Sequence, residues 1–185
     1  MGIYRHIFLT GEKQVGKSTL WKTVMEQAGI APLGFQTLPF KVEGHFAGYR
    51  LHSLGPVPGE FHNDIPISVH IKPKIHLGIT ESFDLFGTAL LEQAATAGSF
   101  LLMDELGRFE KNAHRFQQAV FNCLDSSCHV LGVLQMTDSA FLNRIQERED
   151  VLVFTVTKEN RDRLDLEILG AVRKLQQTAS TQTVR

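Results

Sequence analysis

One feature restricts the fold of this sequence more than any other. Two glycines separated by four residues stand in the run Gly11-Glu12-Lys13-Gln14-Val15-Gly16-Lys17-Ser18, with Thr19 next. The run lies between an apolar stretch, residues 4–10 (YRHIFLT), and a helical pattern over 17–28. Glycines at 11 and 16 permit backbone angles closed to other residues and let an anion approach the main chain. Successive N–H groups then point inward at the positive end of a helix dipole and form an anion nest. Lys17 would reach the β and γ oxygens of a polyphosphate there, and the Ser18 hydroxyl is a hard oxygen ligand suited to Mg²⁺. With ordinary residue usage, the pattern arises by chance in a chain of this length with a probability of roughly one per cent. The bland reading is a glycine turn that caps a helix, with Lys17 solvated.

The strand-loop-helix unit recurs in outline along the chain. Apolar runs without alternation at 100–104 (FLLMD), 130–135 (VLGVLQ) and 151–156 (VLVFTV) read as strands buried on both faces. Between them, Phe83, Phe86, Leu90, Ala94 and Ala97 follow helical spacing, as do Phe116, Val120 and Leu124, and Leu164, Ile168, Val172 and Leu175. Strand and helix in alternation imply an α/β fold: a mostly parallel central sheet with helices on both faces. All six prolines fall between 32 and 73. That segment reads as an insert of turns and short strands. It holds a hairpin, 33–42 and 47–54 around Glu43-Gly44-His45, and a further strand at 76–80. The expected organisation is one domain over 1–176 and a flexible tail over 177–185.

The strand at 100–104 ends in Asp104 and Glu105. Side chains alternate along a strand, so the two carboxylates are expected to differ in orientation. At the C-terminal edge of a parallel sheet, where ligands bind, Asp104 would hold Mg²⁺ opposite Ser18. Glu105 would orient or deprotonate an attacking water.

The segment Asp104-Glu105-Leu106-Gly107-Arg108-Phe109-Glu110 resembles the D-E-[IL]-G-[KR]-[MF]-E signature of the small nucleoside-triphosphatases first described in thermophiles, a family that includes cancer-related members. Gly34-Phe35-Gln36-Thr37 is similar to the family's G-F-x-T, and Val156-Thr157-Lys158-Glu159-Asn160-Arg161-Asp162 to its V-T-x-E-N-R segment. The likeness runs from about residue 7 to 164. It departs from the family at Glu12, Lys13 and Gln14, where small residues are usual, and it is hard to follow over 56–73. The resemblance implies a three-layer P-loop fold that hydrolyses a nucleoside triphosphate to diphosphate and phosphate with broad base tolerance. By position, it implies nucleotide contacts from Gly11, Glu12, Lys13, Gln14, Val15, Gly16, Lys17, Ser18 and Thr19, and from Gly107 and Arg108. Lys17 and Glu105 are the expected catalytic residues, and Ser18 and Asp104 the expected metal ligands.

Other residues read less sharply. Asn160 and Arg161 either contact the base or start the last helix, with Asn160 as cap. Gln135 reads as a strand terminus, with a γ-phosphate contact as the alternative. Arg108 is the cation nearest the acidic pair in sequence, whereas Arg144 and Arg148 read as a solvated helix face. Five of the eight histidines lie between 45 and 76 in no zinc-binding pattern, and Cys123 and Cys128 read as buried thiols.

Composition closes off several classes. Over 185 residues, 43% are apolar and 21% charged, which is a globular balance with enough apolar material for a core. The net charge of −1 disfavours a general nucleic-acid binder. There is no run of 18 apolar residues for a membrane helix, and the N-terminal stretch lacks a secretory pattern. Two cysteines fit a reduced, cytoplasmic setting. Two alternatives stay open. A small-molecule or nucleotide kinase would use 32–80 as an acceptor insert, although only Arg50 lies between Lys22 and Arg108 to serve a lid. A non-catalytic switch would report nucleotide state to a protein partner.

Overall fold

The computed structural model describes residues 4–72, 75–97 and 100–182, with side chains to residue 178. Residues 1–3 of the N-terminal stretch, Pro73 of the insert and 183–185 of the tail lie outside it.

Eight strands form one sheet in the order β5-β4-β3-β2-β6-β7-β1-β8. They are β1 (His6–Gly11), β2 (Leu33–Val42), β3 (His45–Ser53), β4 (Ile65–Lys72), β5 (Ile75–Gly78), β6 (Phe100–Leu106), β7 (His129–Leu134) and β8 (Val151–Val156). β2, β6, β7, β1 and β8 run parallel. β3, β4 and β5 continue from β2 as an antiparallel arm. Pro39 fits within β2 because β6 pairs only with Leu33 to Gln36, which leaves the outer half of β2 bonded to β3 alone. Glu43 and Gly44, at φ 50° and 81°, turn β2 into β3. Positive φ at both central residues is the hairpin turn whose twist matches the strands. The turn thus has two residues rather than three, and β3 starts at His45.

The helices are α1 (Lys17–Ala28), α2 (Thr80–Ser82), which runs through a π-helical turn (Phe83–Gly87) into α3 (Thr88–Ala97), then α4 (His114–Asp125), α5 (Ala140–Gln146) and α6 (Arg161–Gln182). Strand alternation supplies both faces of the sheet. Ile7 and Leu9 join Trp21, Val24, Ile168 and Val172 on the α1/α6 face. Phe8 joins Phe83, Phe86, Phe116, Val120 and Leu142 on the other. Trp21 buries its ring and donates Nε1–H to the Gly132 carbonyl at 2.8 Å, which ties α1 to β7. Phe83 and Phe86 are core, and both cysteines are buried thiols. Burial pushes the Cys123 thiol up to about 12. α6 continues to Gln182, six residues into the segment expected to be a flexible tail.

Candidate functional site

In a parallel sheet every strand points its C-terminal end the same way. Gly11, Asp104, Glu105 and Thr157 therefore meet at one edge, joined by Gln135 just beyond β7. Gly11 (φ 142°) sits so close to β8 that a Cβ would lie 2.3 Å from the Val156 carbonyl oxygen. Gln14 (φ 62°) and Gly16 (φ 110°) complete the curl into α1. Lys17 spans the loop from within: its Nζ donates to the carbonyls of Gly11 and Glu12, each at 2.8 Å. It is buried, which lowers its pKa against the opposing pull of Glu105 and Asp104.

Asp104 is 6% exposed. Burial pushes its carboxyl up to about 6, opposed by a hydrogen bond from the Ser18 hydroxyl and by the Lys17 charge, and aided by Glu105. The hydroxyl-bearing Ser18 and the Asp104 carboxylate, expected to face one another, border the same cavity. A hydroxyl and one carboxylate, completed by phosphate oxygens and water, form a donor set that suits a hard divalent ion such as Mg²⁺.

The strand is not regular at this point. Met103 pairs with Gly132 and Leu106 with Leu134, so Asp104 and Glu105 together oppose the single residue Val133. A bulge of this kind re-aims side chains and is common beside functional sites. Both carboxylates line the same cavity, of about 540 Å³. Glu105 accepts a hydrogen bond from Gln135 Nε2 at 2.7 Å, and its backbone N–H donates to Thr37 Oγ1 at 3.2 Å. The other end of the same amide, Gln135 Oε1, accepts from the Arg108 N–H at 3.2 Å. Gln135 thus joins the acidic pair to the segment after it. Gly107 is what permits this, because a Cβ there would lie 2.5 Å from Gln135 Oε1. Beneath this turn the buried Glu110 carboxylate accepts from the Gly107 N–H. Its burial pushes the carboxyl up to about 7.

A second cavity of about 300 Å³ borders Gly11, Lys13, Lys17, Glu105, Arg108 and Gln135. Arg108 stands at both cavities, its guanidinium 5.1 Å from the Phe109 ring centre. Arg144 and Arg148 line neither: Arg144 is exposed, as expected, whereas Arg148 is half-buried and held by ion pairs. Arg144 lies 4.2 Å above the Phe121 ring, and Arg148 pairs with Asp125 at 2.7 Å and Asp150 at 2.8 Å. On the other flank of the loop, Arg161 borders a cavity of about 330 Å³ with Gly16, Thr19 and Thr23. A further one, of about 430 Å³, runs along Glu12, Val15 and 155–159. Asn160 points into the β8–α6 turn: its Oδ1 accepts from the Thr157 N–H at 2.8 Å and its Nδ2 donates to the Thr155 carbonyl at 2.9 Å.

Sequence reasoning undervalued Gln135, whose only signal was a polar residue closing an apolar strand. It missed Thr37 as a partner of the acidic pair, although Thr37 ends the G-F-x-T segment. It read the histidines between 45 and 76 as a cluster without a zinc-binding pattern and gave no pairing within it; His70 and His76 face each other across β4 and β5 with ring centres 5.0 Å apart.

The architecture has a solved counterpart. The solution structure of a human cancer-related nucleoside triphosphatase superposes with a TM-score of 0.71 at 27% identity, covering 92% of this chain and 98% of that one. The fold and the loop define a P-loop nucleoside-triphosphatase architecture. A family profile described as NTPase matches residues 6–169. The nucleoside-triphosphatase THEP1 of Thermotoga petrophila is 29% identical over 167 residues, covering 88% of this chain and 90% of that relative. The cancer-related nucleoside-triphosphatase homolog of Mus musculus is 30% identical over 183 residues, covering 91% and 96%. This chain belongs to that NTPase family.

Proposed function

We propose that the protein hydrolyses nucleoside 5′-triphosphates, ATP and GTP among them, to diphosphate and phosphate in a Mg²⁺-dependent reaction in the reducing cytoplasm. The observation that carries this reading is the convergence of Lys17, Ser18, Asp104 and Glu105 on one sheet edge, with Gln135 holding Glu105 at 2.7 Å. The amides of the 11–19 loop cradle the phosphates. Lys17 exchanges its two carbonyl partners for β and γ oxygens, and its position inside the loop keeps its charge where negative charge develops. Ser18 and Asp104 would hold Mg²⁺, which supplies charge neutralisation between the β and γ phosphates when bound.

Glu105 receives the proton of, or orients, the water that attacks the γ-phosphorus in line. Gln135 fixes that carboxylate as a positioning residue. Arg108 is the cation placed to meet the γ-phosphoryl charge. Gly107 lets Gln135 and the Arg108 N–H meet. Arg161 lines the nucleoside side of the loop with Thr19, and Asn160 holds the turn that places Arg161.

Phosphate release measured with ATP, GTP, CTP and UTP, with and without Mg²⁺, tests the reading. Release from each triphosphate should require the metal and fall about a thousandfold in Lys17→Ala. Release that persists in that variant contradicts it.

A further inference from the structure

The cavities around the loop differ in position and in walls. Those beside Thr19 and Arg161 and beside Val156 to Glu159 border the start of α1 and the end of β8. The γ-phosphate belongs at Lys17, so the α-phosphate and nucleoside leave the nest on that side. The largest of these cavities, about 540 Å³, shares no lining residue with those two and borders Ser18, Asp104 and Glu105, the carboxylate read above as positioning the nucleophile. A water occupies about 30 Å³ of liquid. Small-molecule sites occupy roughly 300–1,000 Å³.

The antiparallel arm builds the far wall. Phe46 and Tyr49 of β3 lie 5.3 Å apart, centre to centre, at 71°. His76 of β5 lies 5.7 Å from Phe46. Phe109, from the turn after β6, closes the wall at 5.8 Å from Tyr49 and 6.2 Å from His76. All four rings are half-buried and border the cavity, and Tyr49 and Phe109 also pack against the core on the Phe8 face. Such rings offer flat apolar faces suited to stacking on another ring. Glu105 borders the same cavity.

We propose that this cavity is a second-substrate site, which takes a planar ring-bearing alcohol as phosphoryl acceptor. The proposal rests on the nucleoside-triphosphate reading of the loop. The acceptor hydroxyl oxygen forms the new bond to the γ-phosphorus. The bond from that phosphorus to the β–γ bridging oxygen breaks, and its electron pair leaves with the nucleoside diphosphate. The hydroxyl proton passes to the Glu105 carboxylate. Hydrolysis is the same displacement with water in the acceptor's place.

The test uses the full chain with Mg²⁺ and ATP labelled in the γ-phosphate. The probes are the four ribonucleosides, benzyl alcohol and 3-(hydroxymethyl)pyridine. Saturation-transfer NMR reads binding of each probe to protein saturated with ADP, and chromatography separates label in the acceptor from label in free phosphate. At least one ring alcohol should bind alongside ADP and acquire label. In Phe46→Ala the ratio of transferred to released label should fall about tenfold, the scale of one lost ring-on-ring contact. No probe binding, binding that ADP abolishes, or binding without label transfer each overturns the proposal. Phosphate release without transfer removes this inference alone. Failure of all four triphosphates to release phosphate removes the hydrolytic reading as well.

Discussion

Two regions of the sheet face each other over the cavity of about 540 Å³. The parallel strands β1, β6 and β7 end there in backbone amides, a lysine and two carboxylates. The antiparallel arm contributes the Phe46 and Tyr49 rings of β3 and the His76 imidazole of β5. The first region uses chemistry that chain spacing must deliver: an anion nest needs Gly11 and Gly16 five positions apart, and Lys17 must follow at once. The second is assembled by pairing across strands. Tyr49 meets Phe109 through a turn sixty residues on, and His70 meets His76 because β4 folds back on β5. Recognition of phosphate is therefore written locally, whereas an aromatic wall is written in register.

If that division is right, substitutions in the parallel half should act on turnover and those in the arm mainly on stability or on what binds beyond the phosphate. Glu105→Gln should cut kcat for phosphate release by about a hundredfold or more while nucleotide affinity stays near the wild-type value. An equal loss of affinity, read by calorimetry, would assign Glu105 to binding. Gln135→Ala leaves the Glu105 carboxylate without its 2.7 Å partner. Turnover should drop about tenfold, and Gln135→Glu should fail to restore it, because a second carboxylate cannot donate to Glu105.

Glu110 sharpens the comparison from beneath the acidic turn. Its carboxyl is raised from 4.5 to about 7, mainly by burial. A raised carboxyl binds its proton more tightly in the folded state, so the folded protein is favoured at low pH and loses stability as pH climbs from about 4.5 through 7. Glu110→Gln should flatten that slope. Its Tm should exceed the wild-type value by roughly a few degrees at pH 8 and match it near pH 4. The same slope in both proteins would contradict this.

In the arm, Tyr49→Phe keeps the ring but removes the acceptor of the 3.1 Å hydrogen bond from Lys13. Stability by urea titration should change by less than about 1 kcal/mol, since the bond is exposed to water. A larger loss would mean that the arm and the phosphate loop depend on each other for folding.

Much of the fold was legible because its strands are buried on both faces. The unalternating run at 151–156 has the bounds of β8, and the spacing over 17–28 those of α1. β4 was not legible as a strand of its own, because Pro66 and the surrounding prolines signal turns. It tolerates Pro66 at the irregular register where Arg50 pairs with it. α5 was legible only as a helix face around Arg144 and without bounds, because seven residues give barely two turns of periodicity. At the site, Lys17, Ser18, Asp104 and Glu105 were named from spacing alone, but their orientations were not. Alternation assumes a regular strand, and the bulge at 104–105 breaks it. The part played by Gln135 depends on β7 lying between β1 and β6, which no local pattern reveals.

The central claim is that the loop amides hold a triphosphate while Ser18 and Asp104 share one metal ion. A crystal structure with Mg²⁺ and a non-hydrolysable triphosphate tests it most directly. The account predicts the γ-phosphate on Lys17 Nζ and a metal about 2.1 Å from Ser18 Oγ, with Asp104 bound to it directly or through one water. A triphosphate seated elsewhere, or a metal that engages neither residue, would contradict it.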